Sequence, residues 1–469
     1  MLNDKACEFI KSFSYTLISN LITLLISTTV VLIVPKLIGV QEYSYWQLYI
    51  FYSSYVGFLH FGWNDGIYLR YGGEEYNNLD KKLFFSQFIM LGTLQVIILL
   101  GVFFLHVGQD KQFILRMTVT CMLLVNLRGM IVYILQSTNK IREYVRVTIL
   151  DRLLYIFLLL LVLICGERNY EYIIIVDLIG KFVSLVIAVL ICRDMVFRRI
   201  ADFTLNVKEA AFNISVGIKL MFSNIASMLV VGTVRFGIEK TWDVITFGKV
   251  SLTLSVSNLL MMFINAMGVI LFPILRRTDK ERLPSIYMGM RNFMMVVLLG
   301  MLVFYYPAKI AISRWLPAYA DSLKYMALLF PMSVYEGKMA LLVNTYLKTL
   351  RKEKLMLKLN VVSLLLSILM TLFSTIILKN LDLAVVSIVV LLAFRCILAE
   401  IILSKTLEIP VLKDTVMELV VTITFILTGW FISSIMTTLI YTFIYISYLQ
   451  LKRNDISEMS KTIKQLLKH

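Results

Sequence analysis

Runs of about twenty apolar residues recur along the chain, separated by short polar breaks, as expected of consecutive membrane-crossing helices. Fourteen such runs are read, at 13–34, 44–68, 83–105, 113–136, 146–165, 170–192, 213–234, 244–272, 286–306, 323–347, 357–378, 381–403, 414–432 and 435–451. Within several runs the polar residues follow helical spacing. Thr16, Ser19, Asn20, Thr23 and Ser27 share a face of the first run, and Lys219, Ser223 and Ser227 share one in the seventh. The eighth has Ser251, Ser255, Asn258 and Asn265, with Lys249 one turn nearer the outside. If the second run is one continuous helix, Gln47, Ser54 and Asp65 fall on one face, because seven residues make two turns and eighteen make five. Such stripes serve either close packing between helices or the lining of a wet cavity.

Composition turns this pattern into a class. The 469 residues are 59% hydrophobic and 16% charged, with a mean hydropathy of +0.82. Soluble domains carry about 25% charged residues, so the expected fold is an all-α polytopic membrane protein. The opening MLNDKACEFIKSFSYTLISN has no small-residue cleavage site, and its apolar run is read as a retained span. The net charge of +16 does not point to nucleic acid, because the basic residues are spread through short connections. The even-numbered connections and both termini hold 28 of them against nine in the odd connections, which predicts cytoplasmic termini. Cys7, Cys121, Cys165, Cys192 and Cys396 show no paired spacing, and His60, His106 and His469 are far apart. No metal-binding, phosphate-loop or nucleophile motif occurs, so no enzyme activity, metal or cofactor is predicted.

The longest connection, RDMVFRRIADFTLNVKEAAF at about 193–212, reads as an interfacial amphipathic linker near the middle of the chain. Aligning Ser19-Asn20 of the first span with Ser223-Asn224 of the seventh brings YSYWQLYI (43–50) over ITFGKVSL (245–252). This repeat predicts two six-helix bundles, 1–200 and 201–405, and a C-terminal hairpin with a basic tail, 406–469. Transporters built from repeated bundles bind substrate between them near the midplane, so a central cavity is expected.

Charges inside the spans carry the functional reading, since each costs at least about 2.5–3.5 kcal/mol at bilayer depth. The basic ones are Arg116, Arg128, Arg152, Lys181, Lys219, Lys249, Arg291, Lys338 and Arg395; the acidic ones are Asp65, Asp151, Asp177, Glu336 and Glu400. The surplus of cations suits an anionic head group such as pyrophosphate or an acidic sugar and disfavours organic cations. Arg116, Arg152 and Arg291 lie near span ends and are expected to snorkel. Asp177 and Lys181, spaced i,i+4, are expected to neutralise each other. In the tenth span Glu336 and Asn344 share a face, with Lys338 on another. The candidate substrate contacts are therefore Lys219, Lys249, Arg128, Arg395, Asn20, Asn224, Asn258 and Gln47. Candidate gate or coupling residues are Asp65, Arg70, Glu336 and Glu400. Asp65 is read either as part of a cytoplasmic gate or as a water-capped helix terminus, with Gly62 and Gly66 allowing a bend or close helix approach.

The opening stretch FSYTLISNLITLLISTTVVLIVPKLIGVQEYSYWQLYIFYSSYVGFLHFGWNDGIYLRYGG, the fourteen spans and the two-bundle plan resemble Wzx-type polysaccharide flippases of the MOP exporter superfamily. Phe61-Gly62-Trp63-Asn64-Asp65-Gly66, followed by Arg70-Tyr71, is similar to that family's G-x-x-x-G…R-[YF] ending of the second helix. The resemblance implies movement of an undecaprenyl-pyrophosphate-linked oligosaccharide unit (O-antigen or capsule) to the outer leaflet of a bacterial plasma membrane. It also implies membrane lipids as surroundings and glycosyltransferases and a polymerase of the same pathway as partners. The rival readings are a lipid II flippase or cation-coupled drug exporter of the same superfamily, and a membrane-embedded sugar polymerase.

Overall fold

The computed structural model describes the backbone of residues 2–105, 108–277, 281, 283–432, 434–453 and 455. Side chains of 2–19, 109–110, 260 and 262–277 lie outside that description, and with them the stripe residues Thr16, Ser19 and Asn265. His106, His469 and the basic tail beyond 455 also lie outside it.

Every element among the described residues is helical, as a bilayer demands: each backbone amide must find its partner within its own segment. The helices are α1 (Leu2–Ile38), α2 (Val40–Ser53), α3 (Trp63–Arg70), α4 (Lys81–Phe103), α5 (Gln109–Ser137), α6 (Ile141–Ile164), α7 (Tyr170–Ile191) and the short α8 (Arg193–Val196). There follow α9 (Val207–Thr241), α10 (Val244–Arg277), α11 (Leu283–Met301), α12 (Tyr305–Trp315), α13 (Met326–Leu329), α14 (Met332–Gly337) and α15 (Asn344–Thr349). The last are α16 (Glu353–Thr371), α17 (Leu381–Leu407), α18 (Leu412–Phe431) and α19 (Ile435–Leu451). Helix covers most of each of the fourteen expected runs among the described residues, except that 44–68 is broken between Ser53 and Trp63. Among the described residues ten helical stretches are long and apolar enough to cross a membrane singly, and the tenth run, Ser322–Leu329 with Met332–Thr349, is long enough only as a pair bent by 40°.

Two compact units emerge, Met1–Ile225 and Ala226–His469, with the division falling inside α9. In the first unit α5 is central, packing against α2, α3, α4, α6 and α7. Starts are fixed by side-chain caps: Asp80 accepts from the amides of Lys82 and Leu83 at 2.9 and 3.2 Å, and Asn169 accepts from Glu171 at 2.8 Å. In the second unit the central place belongs to the tenth span, α13 to α15, against α10, α11, α17 and α18. The C-terminal pair α18–α19 packs into this unit: Tyr441 and Tyr445 donate to the carbonyls of Leu299 and Val296 at 2.7 and 2.8 Å. Its other face is apolar and exposed, from Val416 and Val420 to Leu439 and Phe443.

Two spans differ from their sequence reading. The second is broken between Ser53 and Trp63, where a 3₁₀ turn (Val56–His60) leads into Phe61 and Gly62 at φ 54° and 84°. Gly62 takes this left-handed backbone without a Cβ penalty. Helical phase does not carry across the break, so Asp65 does not continue the face of Gln47 and Ser54. The tenth span is interrupted by a π-helical turn, Lys338–Val343, which shifts the phase between Glu336 and Asn344. Their expected common face is lost in the same way.

Candidate functional site

In the first unit, neutral amides brace the broken span. A break frees backbone carbonyls that lipid cannot satisfy, and side chains must meet them. Asn126 of α5 donates to Val56 O at 3.1 Å and to Gln95 Oε1 at 2.8 Å, while Gln95 of α4 donates to Leu59 O at 3.0 Å. Asn64 donates to the Asn126 carbonyl at 3.0 Å, and Trp63 Nε1 to Gln87 Oε1 at 2.7 Å. Of these amides only Asn64, within the Phe61–Gly66 motif, was named from the sequence. The signal of the others was faint: Gln87, Gln95 and Asn126 are lone amides inside apolar runs.

Asp65 sits in the first turn of α3, where the helix dipole favours a carboxylate. It is 6% exposed, so the reading of it as a water-capped terminus fails. His60 Nε2 lies 3.6 Å from its Oδ2, and His60 Nδ1 accepts the Gly62 amide at 3.0 Å. Arg70, at the far end of α3, pairs with Glu209 at 2.6 Å and also donates to Asn213.

The expected surplus of free cations is largely absent among the described residues. Arg128, expected to face a cavity, pairs with Asp151 at 2.6 Å and donates to Ser184. Lys181 pairs with Asp177, whose other oxygen accepts from Tyr49 at 2.6 Å. Gln47 is buried, and its amide is spent on the Tyr43 hydroxyl. Arg116 lies over the Phe103 ring at 4.8 Å, and Arg152 is exposed. Asn20 is half-buried, and Asn224 is exposed on α9. Lys219 is exposed and makes no ion pair among the described residues.

The second unit gathers its charges into one network. Arg291 was expected to snorkel; it is instead fully buried, pairing with Glu400 at 2.7 Å, Glu418 at 2.8 Å and Asp414 at 3.3 Å. The reason is that α17 and α18 bring three carboxylates to it, which removes the drive to reach head groups. Lys338, on the π turn, pairs with Glu400 and with Glu418 at 2.8 Å. Lys452, just past α19, pairs with Asp414 at 2.6 Å and Asp455 at 2.7 Å. Tyr287 and Thr415 donate to Glu400 as well, so both its oxygens are committed. Asp414, Glu418 and Lys452 were missed in the sequence, although Asp414 and Glu418 stand one turn apart at the start of an apolar run.

Arg395 is also buried, donating to Ser227 Oγ at 2.9 Å with Glu336 at 3.7 Å. It was read as a cavity cation and is tied down as well. Ser251 accepts from Arg235 at 3.0 Å, so part of the predicted α10 stripe is packing. Lys249, a turn and a half into α10, is half-buried and makes no ion pair among the described residues; Asn258 is exposed.

No family model and no curated protein matches the sequence. Solved structures do match its fold. An inward-facing multidrug resistance MATE family transporter of the MOP superfamily matches with TM-score 0.65 and 12% identity, over 83% of this chain and 98% of that one. The lipid II flippase MurJ, in an inward closed conformation, matches with TM-score 0.62 and 10% identity, over 95% and 99%. A MOP superfamily transporter from Pyrococcus furiosus, described as having a binding pocket of reversed polarity, matches with TM-score 0.55 and 13% identity, over 85% and 96%. The chain thus shares the all-α, multi-pass fold of these MOP-superfamily structures.

Proposed function

We propose that the protein flips an undecaprenyl-pyrophosphate-linked oligosaccharide unit from the cytoplasmic to the outer leaflet of a bacterial plasma membrane, by alternating access. The observation that carries this reading is selective neutralisation. Arg128, Lys181, Arg291, Lys338 and Arg395 each have a carboxylate partner. Lys219 and Lys249, on successive spans, make no ion pair among the described residues, nor do Arg116 and Arg152; the Asp243 carboxylate acts on Lys249 only at longer range. Cations kept unpaired at membrane depth suit a phosphorylated head group and disfavour a cationic drug. Asn224 and Asn258, exposed on the same two helices, supply neutral groups for sugar hydroxyls. Glycosyltransferases would supply the substrate and a polymerase would consume the product. An ion gradient or the membrane potential would drive the cycle. Asp65 and Glu336 are the carboxylates open to that coupling, whereas Glu400 is already shared by two cations.

A peptidoglycan-precursor flippase is the second reading, favoured by one observation: the MurJ match extends over 95% of the chain, against 83% for the first drug exporter. Proteoliposomes carrying fluorescent lipid-linked sugars test both. The expected outcome is flipping of a pyrophosphate-linked oligosaccharide that falls about tenfold in Lys219→Gln/Lys249→Gln. Transport of organic cations, with no lipid-linked sugar moved, would overturn the proposal.

A further inference from the structure

Within the first unit, α3 and the first half of α9 run antiparallel in a ladder whose rungs recur every four residues on both helices. The top rung sets Gly62 against Gly217 and Ile218: a Cβ on Gly62 would come within 2.6 Å of the Ile218 amide nitrogen. The middle rung sets Gly66 against Gly217 and Asn213, and a Cβ on Gly66 would run into the Asn213 carbonyl. The bottom rung is polar. Arg70 pairs with Glu209 at 2.6 Å, donates to Asn213, and lies over the Phe212 ring at 4.3 Å; Tyr71 donates to Glu209 at 3.3 Å. Asn213 is 1% exposed and donates to Gln87 at 3.3 Å, tying the ladder to the amide brace.

Glycine on both helices lets the backbones touch, so the two surfaces fit closely without interlocking side chains. The fastening is concentrated in a single charged rung at the end where the Lys and Arg pattern places the cytoplasm. The helix opposite is also distinctive. α9 is 35 residues long, and its later half, from Ala226, belongs to the second unit.

We propose that this ladder is the cytoplasmic gate, closed in this structure, and that it parts from the Arg70–Glu209 rung inward when substrate enters. The proposal rests on the export reading above. It takes the gating role from Asp65, which is buried beside His60, and keeps it at Arg70, adding Glu209, Asn213 and the three glycines.

Two experiments test it. The first places cysteines at positions 70 and 209, with the five native cysteines replaced, and bridges them with a short reducible bis-methanethiosulfonate. Flipping of the lipid-linked oligosaccharide is expected to fall tenfold or more on bridging and to return on reduction. Undiminished flipping by the bridged protein would overturn the gate. The unbridged variant reports on the export reading separately, since failure of both it and the parent to flip would count against the substrate. The second needs no substrate. Asn213→Cys is labelled with a membrane-impermeant maleimide, with and without Gly66→Ala. The added methyl group is expected to hold the seam apart and raise labelling several-fold. Equal labelling would show static packing and overturn the proposal.

Discussion

Among the described residues each unit contains one broken span, and the two are repaired with different chemistry. In the first, the break lies beside the continuous central helix α5, and neutral amides of Asn126, Gln95 and Asn64 answer the exposed backbone. In the second, the break and the π turn lie within the central span, and Lys338 of that turn is held by Glu400 and Glu418. Amide hydrogen bonds are individually worth about 0.5–1.5 kcal/mol net, so such a brace can exchange partners in small steps. A buried charge left without its partner costs about 3–5 kcal/mol. The first unit is therefore built to yield locally, and the second to hold one arrangement.

The sharpest way to break this contrast is Lys338→Met, which leaves Glu400 and Glu418 to share Arg291. A loss of about 3–5 kcal/mol is expected, read as a drop in unfolding midpoint in detergent and in monodisperse yield. An unchanged midpoint would show that the network is not a lock. Asn126→Leu tests the other side; it strands the Val56 carbonyl and Gln95 and is expected to cost about 1–3 kcal/mol. If it proved as damaging as Lys338→Met, the two units would not differ as described.

Lys219→Gln and Lys249→Gln are expected to shift stability by no more than about 0.5 kcal/mol, because neither lysine makes an ion pair among the described residues. A large shift in the same unfolding assay would place them in the scaffold. The smallest effect belongs to Asp194, in the connection after α7. Partial burial works against its carboxylate, but hydrogen bonds from Lys81 and Tyr76 and the Lys81 charge outweigh it and hold its pKa below the usual value. Its contribution is present above the usual carboxylate range and disappears as pH falls through the lowered value. Asp194→Asn should cost at most about 1 kcal/mol at neutral pH and nothing in acid, as thermal melts across pH will show.

The spans were legible because a bilayer fixes the length of an apolar run, and that signal is local. What was hidden depends on distance along the chain. Run 44–68 carries Gly62 and Gly66, which were read as allowing a bend, but nothing in its spacing marks Phe61 and Gly62 as a left-handed corner; His60 and Asn64 brace the corner from within the run, and Gln95 and Asn126 brace it from α4 and α5. Arg291 looked like a snorkelling residue because its partners lie 109 to 127 positions later, and Arg70 looked isolated because Glu209 is 139 positions away. Pairs spaced i,i+4, such as Asp177 and Lys181, were readable because one helix contains both members. Cations were thus easy to count from the sequence, whereas their neutralisation was not.

The position of α18 in the chain has a consequence for biogenesis. Arg291 and Lys338 leave the ribosome well before Asp414 and Glu418, and until then Glu400 alone is available to both. A nascent chain halted after α17 would hold two buried cations against one carboxylate, and an unpaired buried charge costs about 3–5 kcal/mol. Synthesis of α18 supplies Asp414 and Glu418, so the network's charges are balanced only once translation has passed that helix.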